Sequence, residues 1–316
     1  MKRCLVTGGA GFIGSHLVEA ILERGDAVRV VDHLSTGKTA NLAAVWDHPR
    51  FEFVEADLTV PEIALTVVAD IDTIFHHAAM VSVPASVESP LDAHEHCVTA
   101  TVRLLDAARH AGVRRVVFAA SSAAYGNLPT TAKRETDPPD PLSPYAAAKL
   151  ACEMYLRAFH ACYGLETVGL RYFNVFGPRQ DPDSPYSAVI PRFLTAIQSS
   201  ETPTIFGDGF QSRDFVYVEN VVHANLLAAG AEALQVAGQV FNIGEGRSRT
   251  LLELLDTLRR LTGREVTPRF APPRQGDARE SMADIHAARE RLGYQPIVGF
   301  EEGLRRLIGW MEGIRS

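Results

Sequence analysis

Dense runs of lysine or arginine are missing from this chain, whose 31 basic residues are outnumbered by 38 acidic ones for a formal charge of -7 over 316 residues. Without such an electrostatic footprint, nucleic acid is not an expected partner. Cysteine is scarce as well. Cys4, Cys97, Cys152 and Cys162 are scattered, with no Cys-x-x-Cys pair, a usage that suits inert thiols in a reducing compartment better than a disulfide framework or a zinc site. No apolar run approaches the roughly 18 residues of a membrane span. Because Met1-Lys2-Arg3-Cys4-Leu5-Val6-Thr7 enters a strand at once, no room is expected for a signal peptide, and a soluble cytoplasmic protein is the expectation. Internal repeats, low-complexity tracts and long linkers are also absent. What is present is an ordinary globular composition, 46% hydrophobic and 22% charged. It can bury a full core, in about two domains or one large α/β unit.

The apolar run from Cys4 to Thr7 feeds into Gly8-Gly9-Ala10-Gly11-Phe12-Ile13-Gly14, and a helical pattern through Leu17, Val18, Ile21 and Leu22 then stops at Gly25. This is strand, glycine turn, helix. The spacing Gly8-x-x-Gly11-x-x-Gly14 supplies a tight turn, close approach of backbone to a pyrophosphate, and close packing of helix on sheet, with phosphates at the positive helix N-terminus. A second strand, Ala27 to Val31, ends in Asp32, whose carboxylate can accept from an adenosine ribose and would repel a 2′-phosphate. That favours NAD over NADP, although a strand-end aspartate also fits a plain polar role.

Phe51 to Glu55, leading to Ala56-Asp57-Leu58, reads as a third strand, and Thr73-Ile74-Phe75-His76-His77-Ala78-Ala79 as a fourth. Strands alternating with helices imply a parallel sheet with ligands at the strands' carboxyl ends, which puts Asp57, Ala78 and Ala79 beside a cofactor. His76 and His77 invite a metal reading, but no carboxylate or cysteine cluster accompanies them in sequence, so no metal is expected. A helical stretch from Asp92 to His110 precedes a fifth strand, Arg115 to Ala120, that ends in Ser121-Ser122-Ala123-Ala124-Tyr125-Gly126. A serine there can share a hydrogen bond with a substrate hydroxyl or simply satisfy the turn's backbone.

Ser143-Pro144-Tyr145-Ala146-Ala147-Ala148-Lys149 then opens a helix expected to run to about Tyr163. Positions i and i+4 share a helix face. An ammonium held against a phenol favours the phenolate, so a group with an intrinsic pKa of roughly 10 becomes a base near neutrality, suited to taking a proton from an alcohol. By itself the pair also fits an ordinary surface helix. The order of strand, serine, loop, tyrosine and lysine carries more information than any one piece.

Taken together, the motifs resemble the extended short-chain dehydrogenase/reductase family and, within it, the nucleotide-sugar 4-epimerases. The resemblance runs over essentially the whole chain: Thr7 to Gly14, Asp32, Asp57-Leu58, Ser121, Tyr145 and Lys149, Arg171 to Pro178, Ser212-Arg213-Asp214-Phe215, and Arg274-Gln275-Gly276-Asp277. It implies a Rossmann-like doubly wound parallel sheet with a smaller C-terminal α/β substrate-binding domain. Residues 1–173 plus 213–243 would form the NAD-binding part, and 174–212 plus 244–316 the UDP-sugar part. It implies Tyr145 as acid/base, Lys149 as the nicotinamide-ribose ligand that tunes it, and Ser121 as the assisting hydroxyl. NAD would be held by Gly8, Gly11, Phe12, Ile13, Gly14, Asp32, Asp57, Leu58, Ala78 and Ala79, together with Tyr145 and Lys149. Substrate would be held by Ser82, Ser122, Asn174, Val189, Arg213, Arg274 and Ser281 as well as Ser121 and Tyr145. Guanidinium forks suit the diphosphate role given to Arg213 and Arg274.

Family dehydratases carry an Asp-Glu pair after the hydroxyl residue, where this chain has Ser122 and Ala123. The resemblance therefore implies oxidation at C4, rotation of a 4-keto sugar and re-reduction, with NAD regenerated each turnover. At Ser281 relatives restricted to glucose and galactose have a bulky tyrosine, so a small residue implies acceptance of N-acetyl sugars. Cys97 stands where relatives usually have an asparagine. A homodimer through the Asp92–His110 and Tyr145–Tyr163 helices is implied too. The rivals are a UDP-glucuronate 4-epimerase or a reductase of the same family and, outside enzymes, a dinucleotide sensor, which typically lacks the Tyr/Lys pair present here.

Overall fold

The computed structural model describes residues 2–181, 189–273 and 279–313. Seven strands form one sheet: β1 (Arg3–Thr7), β2 (Ala27–Asp32), β3 (Phe51–Glu55), β4 (Thr73–His76), β5 (Arg115–Ser121), β6 (Glu166–Tyr172) and β7 (Gln239–Ile243). They lie in the order β3-β2-β1-β4-β5-β6-β7, every neighbouring pair parallel. Successive side chains of a strand point to opposite faces. Cys4, Val6 and Val117 accordingly enter one core, while Leu5, Val116 and Phe118 enter the other. This is why the strands read as unbroken apolar runs: a parallel sheet is covered on both sides. Helices Phe12–Glu23 and Val218–Gly230 contribute Leu17, Ile21, Val221 and Ala224 to the first core. Helices Pro61–Val67, Ala100–His110 and Pro144–Tyr163 contribute Val67, Leu104, Cys152 and Leu156 to the second. The fold is the expected doubly wound α/β sheet.

A smaller sheet places Ser248–Thr250, Ser212–Tyr217, Glu280–Ala283 and Ala132–Lys133 side by side, with Asn174–Phe176 pairing Phe215–Tyr217. Thr204–Phe206 pairs separately with Arg269–Ala271. Helices Val189–Gln198, Leu251–Thr262 and Phe300–Met311 pack here around Phe193, Leu255 and Leu304. The stretch from Asn174 to Gln211 reads from its sequence as loop-rich, yet it holds two strands and a helix within its described residues.

Two further boundaries differ from expectation. β4 stops at His76: the His77 N–H still donates to the Thr7 carbonyl at 3.1 Å as the last rung of the ladder, but the Ala78 N–H goes to Thr7 Oγ1 at 3.1 Å, which also accepts from His77. The single helix expected from Asp92 to His110 is three pieces: a turn at Pro90–Ala93, a π-helical segment at His94–Thr99, and a regular helix from Ala100. Among the described residues no helix is long and apolar enough to cross a membrane.

Candidate active site

Strand order reverses between β1 and β4, and a crevice opens there at the carboxyl ends. Gly8 sits at that point with φ +68°, and a Cβ on it would meet the Ala78 nitrogen at 2.8 Å. At Gly14 a Cβ would meet the Gly8 carbonyl oxygen at 2.3 Å. Only glycine fits either place, which lets the turn pack closely on Ala78 and the helix start pack closely on the turn. Gly11 precedes the Phe12–Glu23 helix with no side chain capping it, so the first-turn N–H groups of that helix, Phe12 and Ile13 among them, remain suited to an anion. Asp32 is buried at the end of β2. Its Oδ2 accepts from Ala10 N and its Oδ1 from Leu34 N, both at 2.9 Å. The carboxylate therefore fixes the glycine turn and keeps lone pairs for a ribose. A glycine cradle ending at a helix N-terminus, with a strand-end carboxylate alongside, fits a dinucleotide.

Asp57 follows β3, with Thr59 N donating to its Oδ1 at 2.8 Å. Partial burial raises its pKa, but the Thr59 hydrogen bonds and the neighbouring His33 and His96 outweigh this and hold it below its ordinary value. Leu58 is buried in the second core, and Ala78 and Ala79 are half-buried against that core.

His76 and His77 are interior hydrogen-bonding groups. His76 Nδ1 pairs with Thr7 Oγ1 at 2.6 Å and Nε2 with Thr101 Oγ1 at 2.9 Å. Since Thr7 Oγ1 already accepts two N–H groups, it donates to Nδ1, which assigns the proton to Nε2. His77 Nε2 meets the Tyr172 hydroxyl at 3.1 Å, and Asn225 donates to that hydroxyl at 2.7 Å. Burial and then the nearby Lys149 push His76 down to about 3 and His77 to about 4, so both are neutral. Thr7 heads the glycine motif, but nothing local in the sequence signals its bond to His76.

The Tyr145 helix begins where its sequence says it should. Ser143 Oγ accepts Ala146 N at 3.2 Å as N-cap, Pro144 takes the first turn, and Gly164 closes the helix in the left-handed conformation. Tyr145 is half-buried, and its backbone N–H donates to the buried Ser86 Oγ at 3.0 Å. One turn on, Lys149 is buried, lies 4.7 Å from the Phe118 ring centre and donates from Nζ to the Ala119 carbonyl at 2.8 Å. That bond ties the helix to β5 two residues before Ser121. Ser121 Oγ accepts Ala123 N at 3.2 Å, so it does serve the turn's backbone, and Ser122 opens the short helical turn that follows. Farther along the helix, Glu153 binds Arg171 of β6 through two hydrogen bonds, 2.9 and 2.6 Å, with both side chains buried.

Asn174, Val189 and Arg213 meet in a cavity of about 310 Å³ that is also lined by Phe206, Gln211 and Phe215. Ser281 pairs with Arg213 across neighbouring parallel strands. Ser82 caps the Val83–Glu88 helix by accepting Ala85 N at 3.0 Å. Arg274, with Gln275, Gly276 and Asp277, lies outside the described residues. Cys97 occupies the π-helical segment and donates to the Met80 carbonyl at 3.7 Å, so it touches the loop that follows Ala78 and Ala79. His33, Asp57 and His96 also converge, their ligand atoms within 4.8 Å of one another.

The sequence profile of the NAD dependent epimerase/dehydratase family matches residues 4–244. The chain is 42% identical over 309 residues to a UDP-glucose 4-epimerase of Mycolicibacterium smegmatis, covering 97% of each. Its structure resembles a UDP-N-acetylglucosamine 4-epimerase from Methanobrevibacter ruminantium in complex with UDP-N-acetylmuramic acid, at TM-score 0.94 and 40% identity over 99% of both chains. It also resembles the Thermus thermophilus UDP-glucose 4-epimerase in complex with NAD, at TM-score 0.88 and 37% identity over 99% of this chain and 100% of that one.

Proposed function

Because the chain belongs to the NAD-dependent epimerase/dehydratase family and is a UDP-sugar 4-epimerase that uses NAD, we propose that it interconverts UDP-N-acetylglucosamine and UDP-N-acetylgalactosamine, and UDP-glucose and UDP-galactose as well. In this reading Tyr145 takes the C4 hydroxyl proton and returns it to the other epimer. Lys149, one turn along the same helix and fixed by its bond to the Ala119 carbonyl, holds the nicotinamide ribose. Ser121, at the end of the same strand, shares the migrating proton. Bound NAD supplies the hydride acceptor and donor. Between the two hydride transfers the 4-keto sugar turns about its diphosphate link, which Arg213 and Asn174 hold in the shared cavity. Residues 1–173 plus 213–243 serve NAD in this scheme and the remainder serves the UDP-sugar, the strand Ser212–Tyr217 joining the two.

The observation that carries the reading is the Lys149 to Ala119 bond, since it gathers the tyrosine helix and the serine strand end at one edge. The small Ser281 beside Arg213 supports N-acetyl acceptance, and Ser122 and Ala123 leave the serine turn without an acid for elimination. The test is turnover of each UDP-sugar without added NAD, followed by proton NMR. Conversion of both pairs is expected. No conversion of either, with NAD then added, would refute it and leave a uronic acid substrate or a sensor as the reading.

We also propose a cytoplasmic homodimer. Met154 and Tyr155 are exposed apolar side chains on the Tyr145 helix, and in this reading that helix and the Asp92–His110 stretch pair with their counterparts in a second copy. Light scattering should give twice the 34.4 kDa chain mass, and a monomer would refute the pairing.

A further inference from the structure

We propose that His33, Asp57 and His96 form a binding site for a borderline divalent transition metal, zinc being the best fit, and that its occupation competes with bound NAD. Two imidazoles and one carboxylate are a donor set suited to zinc, with a fourth position left for water. Their ligand atoms lie within 4.8 Å of one another, and the two rings are 5.7 Å apart between centres. A tetrahedral ion with bonds of about 2.0–2.1 Å needs donors about 3.4 Å apart, so the group must close by about an ångström. It has the freedom to do so, since His33 is exposed and the other two are half-buried.

The three residues come from three elements: His33 directly after β2, Asp57 after β3, and His96 from the π-helical segment. Such segments are uncommon and frequently mark functional sites. Surrounding bonds hold the parts in register. Thr59 N orients the Asp57 carboxylate, while Arg103 binds both the Thr59 carbonyl and Glu95, the neighbour of His96. Outer partners of this kind commonly set ligand orientation in metal sites. Nothing in the chain order announces the group, because its members are 24 and 39 residues apart and only the sheet edge gathers them.

Competition with NAD rests on the reading of Asp32 and Asp57 as NAD ligands: His33 is adjacent to one, and the other is itself a metal ligand here. An ion on Asp57 takes the lone pairs that reading assigns to the nucleotide.

The experiment loads the full-length protein with NAD, titrates zinc, and measures metal per chain by equilibrium dialysis and released NAD in the filtrate. Cobalt(II) serves as a coloured probe of coordination. One metal per chain, an imidazole-type cobalt spectrum and NAD release with rising zinc are expected, with affinity falling at least about tenfold in His33→Ala and in His96→Ala. His33 is exposed, so its truncation leaves the core intact, and circular dichroism checks both variants. No retained zinc, or retention unchanged in folded His33→Ala, would overturn the site. Retention lost in the variants but with NAD fully held at saturating zinc would overturn the competition and the reading of Asp57 as an NAD ligand, and leave the metal site standing.

Discussion

Ser281 is a small side chain standing next to Arg213, which lines the cavity. Replacing it by tyrosine fills space that an N-acetyl group would need and leaves a plain hydroxyl room enough. Ser281→Tyr should therefore slow the N-acetyl reaction by at least about tenfold while UDP-glucose turnover changes little, the scale on which one pocket group discriminates. Equal loss in both, measured by proton NMR, would sink the idea. At this scale the sequence is informative where chemistry demands one residue type at a fixed spacing. Gly8, Gly14, Asp32, Tyr145 and Lys149 all stand out because backbone approach or shared helix faces leave few alternatives. Thr7 and Ser86 do not stand out. Their partners, His76 and the Tyr145 backbone, are 69 and 59 residues away, and a lone hydroxyl carries no pattern.

Among elements, the Tyr145 helix is held at both ends of the chemistry it carries. Lys149 pins its first turns to β5, and Glu153 clamps its middle to β6 through Arg171. A buried pair gives little net stability, but breaking one side strands the other charge. Glu153→Gln should thus cost about 3–5 kcal/mol in urea unfolding. Glu153→Leu combined with Arg171→Met should recover most of that loss, and a single-variant cost below about 1 kcal/mol would show the clamp to be idle. The helix itself was legible from Ser143, Pro144 and Gly164, whose capping roles are local. The π-helical segment was not, since its residues also read as plain helix and its contact with Met80, through Cys97, lies 17 residues back along the chain. The end of β4 was hidden for the same kind of reason: the Ala78 N–H goes to the side chain of Thr7 on another strand.

For the molecule as a whole, burial sets an acid sensitivity. His16 and His77 are pushed down to about 4 and His76 to about 3, chiefly by desolvation. Unfolding restores their ordinary 6.5. Between those values the unfolded chain binds more protons, so stability falls as pH drops from about 6.5 to 4, by about 1.4 kcal/mol per pH unit for each histidine. Asp214 works the other way. Burial pushes it up to about 6 despite N–H donors from Glu245, Gly246 and Ala283, so the folded state holds an extra proton between about 6 and 3.8. For these four groups the net near pH 5 is two protons, about 3 kcal/mol per pH unit. Urea midpoints measured at pH 5 and 6 should show this slope, and His16→Gln should remove one proton's share. A flat profile would contradict it.

Connectivity adds a last consequence. The chain visits the smaller sheet at Ala132–Lys133 before β6, and again from Asn174 to Tyr217 before β7 closes the edge of the large sheet. A nascent chain leaving the ribosome therefore cannot finish its first sheet until residue 243 of 316 has emerged. Until then β6 carries an open, apolar edge, the exposure that invites mispairing between neighbouring chains on one message. The two halves of the enzyme are made together, and synthesis is the period in which it needs protection.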